Sequence, residues 1–435
     1  MGFRTILLLV CLICPATAAW SQDASSSSPK ERVRAAKALG EQGSAAIPAL
    51  RKLLKDPEVK VRREAVKSIV KIGTQHSLDA LVEATRDADP EVQVWATDGL
   101  VNFYVPGYVK TGLTAPLKRA GRHLKSYFTD VNDQVIPPDM EVRPDIIEAL
   151  GKLARGGTSM VARAHAARAL GVLRGRAAVP DLLEAVRSKD SGLIYEALIA
   201  LQKIGDRNAG PGIAFLLRDL DDRVQMAAIE TTGLLQNKDA LPQLYEVLNS
   251  ARNKKIRRAA LTAIAMLPDE RSRGYYTQYI QDKDPLTRAA AAEGFGRLGN
   301  PEDLKMMEGL FQAEKKMNPR LSMAFALVLL GRTELSEFSP LQYLVNTLNS
   351  SSYQGVAEPF LIELARQPEV RKNLYQALAR GTRDEKIHLA RVLAVSGADD
   401  SIAALEALTR DQDAEVATEG SRALRILRAR LESAS

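Results

Sequence analysis

Cysteine, histidine and aromatic side chains are scarce in this chain. Of 435 residues only two are cysteine and four are histidine, and aromatic residues make up 5%. Both cysteines, Cys11 and Cys14, lie near the N-terminus. A mature chain without that segment would have no disulfide, no cysteine metal site and no cysteine nucleophile. Because the four histidines are also scattered along the sequence, we expect no metal site.

The string Gly294-Phe295-Gly296-Arg297-Leu298-Gly299 matches the spacing of a dinucleotide-binding loop. Such a loop binds pyrophosphate only where it joins a strand to a helix. Here the string ends a predicted helix that begins near Pro285. We therefore expect no nicotinamide or flavin cofactor, and the sequence indicates no catalytic residue.

Long hydrophobic runs are missing as well, since no stretch approaches the roughly 18 apolar residues of a membrane span. The apolar segment Ile6–Cys14 follows Arg4 and precedes the small residues Ala16-Thr17-Ala18. This order is typical of a secretory signal peptide, which we assign to residues 1–19. The serine-rich residues 20–29 are predicted to be a flexible leader. The sequence thus predicts export, to the periplasm or the extracellular space.

The charge is unevenly distributed along the chain. Residues 1–220 hold 31 Lys and Arg against 24 Asp and Glu, while the remainder holds 29 of each, so the N-terminal half carries the whole net charge of +7. A basic surface attracts acidic proteins, anionic lipid or nucleic acid. Export makes nucleic acid an unexpected partner. The oligomeric state stays open.

One apolar position recurs along the chain at intervals of 30 to 34 residues, with one longer gap. The residues at this position are Leu39, Ile69, Leu100, Leu170, Leu201, Thr232, Ile264, Phe295, Leu327, Leu361, Leu393 and Leu424. A fixed period of this length is typical of stacked repeats, which form a continuous surface that usually binds partners.

Residues 44–73 contain the clearest repeat. Ile47, Leu50 and Leu53 have helical spacing, Asp56-Pro57 interrupts the pattern, and a second apolar stripe ends before Gly73. Asp is a favoured N-cap, Pro is tolerated at the first helical position, and Gly suits a left-handed C-cap. The sequence therefore predicts a helical hairpin in which Asp56 caps the second helix.

This repeat resembles the HEAT-repeat family, particularly its short-period bacterial branch related to phycobilin-lyase-type repeats. The matching residues are Asp56, Val61-Arg62 and Ile72-Gly73, and again Asp222, Arg223-Val224 and Ala227-Ala228. The resemblance covers roughly residues 30–432, and we assign residues 30–435 to the repeat solenoid. It implies an all-α, right-handed α-α superhelix of about twelve hairpins, as in HEAT and armadillo proteins. It also implies that the turn Asp and an Arg early in the second helix cross-link neighbouring repeats.

The repeat register fails between Leu100 and Leu170. The segment of about residues 104–138 contains aromatic side chains and a basic amphipathic stretch, and insertions in repeat proteins often form the binding face. A degenerate repeat with a solvated basic side is the alternative. We predict binding residues at Tyr104, Tyr108, Lys118, Arg119, Arg122, Lys125, Tyr127 and Phe128.

The expected function is that of an exported, non-enzymatic scaffold or adaptor for a protein or peptide partner. The cations of the insertion suit an acidic partner. Two alternatives remain: an enzyme of the phycobilin-lyase or hydroxylase type, and a protein attached to an anionic membrane through residues 113–128. Hydroxylases built on HEAT repeats use His-Glu pairs, but no histidine here is followed by Glu. The sequence therefore favours a chain that is not an enzyme.

Overall fold

The computed structural model describes residues 24–109 and 135–432. These residues form 23 α-helices joined by turns and short 3-10 helices, and the described residues contain no strand. The predicted all-α solenoid is therefore confirmed. Within the same residues, no helix combines the length and the apolar character that a membrane crossing requires.

The chain divides into two compact units. The first contains residues up to Ile136 together with Val142–Lys203, and the second contains Pro137–Glu141 and residues from Ile204 onward. Helices of the first unit are α1 (Pro29–Leu39), α2 (Ile47–Leu53), α3 (Val59–Ile72), α4 (Ser77–Ala84), α5 (Pro90–Tyr104), α6 (Pro144–Gly156), α7 (Met160–Val172), α8 (Val179–Ala185) and α9 (Ser191–Ile204), whose last residue falls beyond the boundary.

The second unit continues the same alternation of helices. Its helices are α10 (Gly210–Ile213), α11 (Asp222–Leu234), α12 (Leu241–Ser250), α13 (Lys254–Ala265), α14 (Arg273–Tyr279), α15 (Pro285–Leu298), α16 (Leu304–Ala313), α17 (Met317–Leu329), α18 (Pro340–Thr347), α19 (Gln354–Leu364), α20 (Pro368–Arg380), α21 (Arg383–Ser396), α22 (Ile402–Leu408) and α23 (Ala414–Glu432).

The odd-numbered helices are the second helices of the hairpins, and each carries one residue of the recurring position. Every one of these side chains except Leu424 is buried. Even Thr232 is fully buried, because its hydroxyl donates a hydrogen bond to the carbonyl of Ala228 at 2.8 Å. The recurring position is thus the centre of each repeat core, as its period predicts.

Neighbouring second helices approach closely at a glycine that directly follows the recurring position. A Cβ atom added there would lie 2.6 to 3.0 Å from the Cα of an alanine on the next second helix. The three pairs are Gly171 with Ala200, Gly233 with Ala263, and Gly296 with Ala326. Such distances are shorter than real Cβ contacts, so only glycine allows this packing.

Arginines near the start of second helices join successive turns. The Nη1 of Arg62 donates to the carbonyls of Asp56 and Pro57, while its Nε and Nη2 bind Asp87 at 2.8 and 3.0 Å. Arg288 repeats this arrangement with Glu314. The predicted cross-link with an Asp is confirmed at Arg62, and at Arg288 a Glu takes the place of the Asp. It does not hold everywhere, because the aligned Arg257 is exposed.

The prediction that Asp56 caps α3 is wrong. Helix α3 begins at Val59 and its N-cap position is Glu58, whose side chain makes no capping hydrogen bond. Asp56 instead accepts from the amide of Glu58 and binds Arg32 at 2.6 Å. Although burial opposes ionisation, these hydrogen bonds lower the pKa of the Asp56 carboxyl. The capping role falls to the second acid of such turns, as where Asp89 accepts from the amide of Val92.

The register break is a long connection between two hairpins, α4–α5 and α6–α7. Leu150 has the local sequence of a recurring position but is only 20 residues before Leu170. The two leucines lie on the first and second helix of one hairpin, which explains the short distance in sequence. The connection covers residues 105–143, of which 110–134 lie outside the described residues. We call this segment the 105–143 connection. The predicted signal peptide likewise lies outside the described residues.

Candidate binding site

Two of the eight predicted binding residues, Tyr104 and Tyr108, belong to the part of the chain that the structure describes. The other six lie outside it; they are Lys118, Arg119, Arg122, Lys125, Tyr127 and Phe128. The structure therefore describes the two ends of the 105–143 connection, residues 105–109 and 135–143.

Tyr104 is the last residue of α5 and is half-buried. Its ring meets that of Phe103 edge-on, with centroids 5.1 Å apart, and its hydroxyl accepts a hydrogen bond from the amide of Arg143 at 3.3 Å. Arg143 directly precedes α6, and its guanidinium also pairs with Asp79 at 2.7 Å. Tyr104 thus joins the beginning of the connection to its end.

Tyr108 is also half-buried, and its hydroxyl is hydrogen-bonded to the guanidinium of Arg168. Burial raises the pKa of the phenol, and the nearby charge of Asp98 raises it further. The side chain therefore contacts its own chain, an arrangement that the sequence did not suggest. A substitution at Tyr108 affects packing as well as any partner contact.

Tyr108 lies near three charged side chains on three successive second helices, and a histidine pairs with one of them. We call these residues, with Tyr108, the Tyr108 cluster: Asp98 on α5, His165 and Arg168 on α7, and Glu196 on α9. The Nδ1 of His165 lies 3.0 Å from the Oδ1 of Asp98. The Nε and Nη2 of Arg168 bind the two oxygens of Glu196 at 2.9 and 3.1 Å.

The Arg168–Glu196 pair is almost fully removed from water, with side chains 7% and 0% exposed. A buried charge is stable only when it is paired and hydrogen-bonded, and the bidentate geometry provides both. The charges of the cluster are therefore satisfied internally. The cluster holds Tyr108 in place, and with it the beginning of the 105–143 connection.

Both ends of the connection are also fixed through the backbone. The amide of Val109 donates to the side-chain oxygen of Asn102 at 2.9 Å, and the amide of Ile136 donates to the carbonyl of Val172 at 2.9 Å. Val109 and Ile136 are both buried. The connection therefore leaves and rejoins the first unit at defined points on α5 and at the end of α7.

A second surface of the first unit is a basic groove between α2 and α4, with a volume of about 530 Å³. Arg51, Lys52, Lys55 and His76 line it, together with Asp79. Arg51 is paired with Glu83 and Asp79 with Arg143, whereas Lys52 and Lys55 are exposed. The groove therefore presents two exposed lysine side chains on the regular repeats.

The second unit has its own buried charges, centred on Arg297 of α15. Its Nε and Nη2 bind both oxygens of Glu363 on α19 at 2.8 Å, and its Nη1 lies 3.2 Å from Glu293. The guanidinium lies 4.9 Å from the ring centroid of Phe325 on α17. Burial raises the pKa of the Glu293 carboxyl, although Arg297 and the hydroxyl of Ser322 oppose this shift.

The histidines are placed separately from one another. His165 pairs with Asp98 and His388 with Glu358, His76 is exposed, and His123 lies outside the described residues. In the described ranges, no three His, Cys, Asp or Glu side chains are grouped closely enough to hold a metal ion.

The repeated hairpins define a class, the α-solenoids, and the comparisons identify the family. A family model of HEAT repeats matches residues 17–101, 147–231, 211–273 and 241–328, which together cover more than half of the chain. The chain belongs to the HEAT-repeat family. HEAT repeats commonly mediate interactions between proteins.

Individual relatives are distant. Deoxyhypusine hydroxylase-B of Oryza sativa subsp. japonica is 27% identical over 251 residues, which cover 55% of this chain and 77% of the relative. Among solved structures, YibA of Escherichia coli is 14% identical, with a TM-score of 0.41, over 76% of this chain and all of that chain. The CpcE–CpcF complex of phycocyanin lyase from Nostoc is 17% identical, with a TM-score of 0.28, over 65% of this chain and 94% of that chain.

The expectation that the chain is not an enzyme is overturned by these comparisons. The relative from Oryza sativa has the name of an enzyme and shares most of its length with this chain. The lack of His-Glu pairs was therefore an insufficient reason to exclude activity. A catalytic function takes its place among the candidates below.

Proposed function

We propose that this chain is an exported HEAT-repeat scaffold that binds a protein or peptide partner, and that residues 104–138, most of the 105–143 connection together with Tyr104, are its primary contact site. The observation that carries the proposal is the fixing of both ends of the connection. The hydroxyl of Tyr108 is hydrogen-bonded to the guanidinium of Arg168, and the amide of Ile136 donates a hydrogen bond to the carbonyl of Val172. Side chains and backbone that are held in place before binding lose less entropy on binding, which supports a partner contact at these two described ends.

The partner that fits the connection is an acidic protein. Lys118, Arg119, Arg122 and Lys125 recur at helical spacing in its sequence. Such cations increase the association rate with an acidic surface and make binding sensitive to salt. Attachment to an anionic membrane is the alternative reading of the same residues, and liposome co-sedimentation of the full chain distinguishes the two.

The experiment is partner capture by chemical crosslinking in the native cell, followed by mass spectrometry. The test variant carries Lys118→Glu and Lys125→Glu, and the control carries Lys52→Glu and Lys55→Glu in the basic groove. Both variants change the net charge equally. We expect the test variant to lose at least about tenfold of the recovered partner, as charge reversal at an interface commonly does. If only the control variant lost the recovered partner, the binding site would be the basic groove and not the connection.

Export is a separate part of the proposal. It is supported by the order of Arg4, the apolar segment Ile6–Cys14 and Ala16-Thr17-Ala18. N-terminal sequencing of the protein from its native cell is expected to show loss of the first 18 or 19 residues. Recovery of a chain that retains Met1 would contradict export.

A catalytic function is the second candidate, favoured by the similarity to deoxyhypusine hydroxylase-B. Its test is incubation of the purified full chain in air, with added iron and a reductant, with a protein substrate that contains deoxyhypusine, followed by mass spectrometry. A gain of one oxygen atom in the substrate would establish hydroxylation. An unchanged substrate, with a known hydroxylase active in parallel, would exclude that reaction.

A further inference from the structure

The fourth residue of several second helices is a cation that pairs with an acid in the turn of the next hairpin. The pairs are Arg32–Asp56 at 2.6 Å, Arg62–Asp87 at 2.8 Å and Lys386–Asp411 at 2.8 Å. Each acid lies three residues after the end of a first helix, and its amide donates to the carbonyl of the last residue of that helix at 3.0 to 3.2 Å. These turns therefore share one defined position for a carboxylate.

The turn between α18 and α19 has the same backbone arrangement without the acid. Helix α18 ends at Thr347, and the amide of Ser350, three residues later, donates to the carbonyl of Thr347 at 3.0 Å. Ser350 thus occupies the position of Asp56 and Asp87. The whole turn, residues 348–353, reads Leu-Asn-Ser-Ser-Ser-Tyr and contains no acidic side chain.

The matching cation is nevertheless present. Arg320 is the fourth residue of α17, and its guanidinium carbon lies 5.0 Å from the ring centroid of Phe311 and 5.1 Å from that of Tyr343. Phe311 belongs to α16 and Tyr343 to α18, and the two rings meet edge-on. Contacts with two first helices therefore hold the guanidinium in place.

Arg320 has no acidic partner in the part of the chain that the structure describes. Its Nε is buried without a hydrogen-bond acceptor, and within residues 24–109 and 135–432 its guanidinium forms no ion pair. Buried polar groups in proteins are almost always satisfied by the chain, by water or by a ligand. A guanidinium held in one orientation suits a planar carboxylate, which accepts two parallel hydrogen bonds.

The position of the missing acid is accessible. Ser352 and Gly355 are exposed and Ser350 is half-buried, and a Cβ added to Gly355 would meet no atom within 4 Å. In the turn of α2 and α3, the carboxylate of Asp56 also accepts from the amide of Glu58 at 2.9 Å. The corresponding amide here is that of Ser352. A carboxylate from outside the chain can therefore reach the donors that serve Asp56 in its own turn.

We propose that Arg320 and the turn of residues 348–353 bind the carboxylate group of a ligand, in the position that an acid of the chain holds in the other turns. The guanidinium of Arg320 and the amide of Ser352 donate to this carboxylate. A small free carboxylate and the C-terminus of a peptide both have the required chemistry. The site contains no residue of the 105–143 connection and goes beyond the proposed scaffold function.

Saturation-transfer difference NMR with the full chain tests the binding, because it detects weak ligands. The probes are sodium acetate, N-acetyl-Gly-Gly-Ala with a free carboxylate, and the same tripeptide as its C-terminal amide. We expect signals from the first two and loss of the signal from the amide. A smaller dissociation constant for the tripeptide than for acetate assigns a peptide C-terminus as the source, and equal constants assign a small free carboxylate.

Variants of the protein locate the site. Ser350→Asp places a carboxylate of the chain at the position of Asp56, so it should abolish the acetate signal and lower the unfolding equilibrium constant by about tenfold. Ser351→Asp adds the same charge at the next, exposed residue and is expected to change neither quantity. Arg320→Gln should abolish the acetate signal, and in its background Ser350→Asp should no longer stabilise the chain.

Three results would overturn the carboxylate site: no acetate signal from the native chain, equal acetate signals from the native chain and Ser350→Asp, or equal stabilisation by Ser350→Asp and Ser351→Asp. The stability measurement keeps the test decisive even if Arg320→Gln folds poorly. Partner capture through Lys118 and Lys125 tests the scaffold separately, so each proposal can fail without the other.

Discussion

The second helices of the two units are built alike and differ in what they present. In the first unit their charged side chains pair with each other, as Arg168 does with Glu196, and these pairs hold Tyr108. In the second unit the buried arginine is Arg297, whose pairs with Glu293 and Glu363 join helices to each other. One helical framework thus supports a buried charge cluster that holds a residue of the 105–143 connection and another that links α15 to α19.

The comparison separates residues that build the framework from residues that define a face. Framework residues are common to both units: the buried recurring position, the glycine–alanine contacts and the arginines that join turns. Face residues differ between units because solvent-accessible positions on a helix tolerate substitution. Framework substitutions should therefore lower stability in either unit, whereas face substitutions should change contacts locally.

The largest effect is expected from Glu196→Ala, which leaves Arg168 buried and unpaired. Breaking a buried ion pair costs about 3–5 kcal/mol of unfolding free energy. The control is Glu419→Ala, because Arg391 and Glu419 occupy the same repeat positions but lie 3.3 Å apart with Arg391 43% exposed. An exposed pair is worth at most about 1 kcal/mol. Equal losses in denaturant unfolding would show that the Tyr108 cluster is not specially buried.

Arg62→Ala tests the link between turns. Arg62 makes charged hydrogen bonds to Asp87 and to two carbonyls, so we expect a loss of about 1.5–3 kcal/mol. Arg257→Ala is the matched control, since this exposed arginine occupies the aligned position and should change stability by less than about 0.5 kcal/mol. Urea titrations of both variants provide the comparison. Similar values would reject the link as a stabilising feature.

Gly296→Ala tests the close approach of second helices. The added Cβ would lie 2.6 Å from the Cα of Ala326, so the helices must separate, at a cost of about 1–3 kcal/mol. Gly309→Ala on α16 meets no atom within 4 Å and should stabilise the chain by up to about 1 kcal/mol. Thermal unfolding followed by circular dichroism measures both. A melting temperature that rises in both variants would contradict the close packing.

The smallest expected effect concerns the pH dependence of Glu293. Its folded pKa is raised by burial, so the folded chain binds more protons than the unfolded chain between the two pKa values. Unfolding free energy therefore falls as pH rises from the unfolded pKa of about 4.3 through the folded one. Glu293→Gln should lack this fall. Denaturant titrations between acid and neutral pH measure the unfolding free energy of the native chain and the variant. If both free energies change with pH in the same way, the raised pKa of Glu293 is disproved.

Much of the framework could be predicted from the sequence because repeat cores depend on local periodicity. The recurring position placed the second helices, and Gly73 correctly marked a left-handed end. Asp56 was assigned to the wrong role because a single Asp-Pro pair resembles a cap. The turn at Asp87 and Asp89 shows the other arrangement, in which the second acid caps the helix and Asp87 accepts from the amide of Asp89.

The contacts of the site were harder to predict, because they join residues that are distant in sequence. Nothing near Tyr108 in the chain indicates that its hydroxyl meets Arg168. The Arg297–Glu363 pair is of the same kind, since 66 residues separate its two members. Local periodicity places each helix but does not indicate which of these distant side chains meet.

Hydrogen–deuterium exchange of the native full chain and of Glu196→Ala tests the difference between the two units most directly. Amide exchange reports local opening, which the loss of a buried ion pair promotes. The account predicts faster exchange in α7, in α9 and at Val109 in the variant, and unchanged exchange in α15 and α19. Equal exchange of α7 and α9 in the two proteins would contradict it.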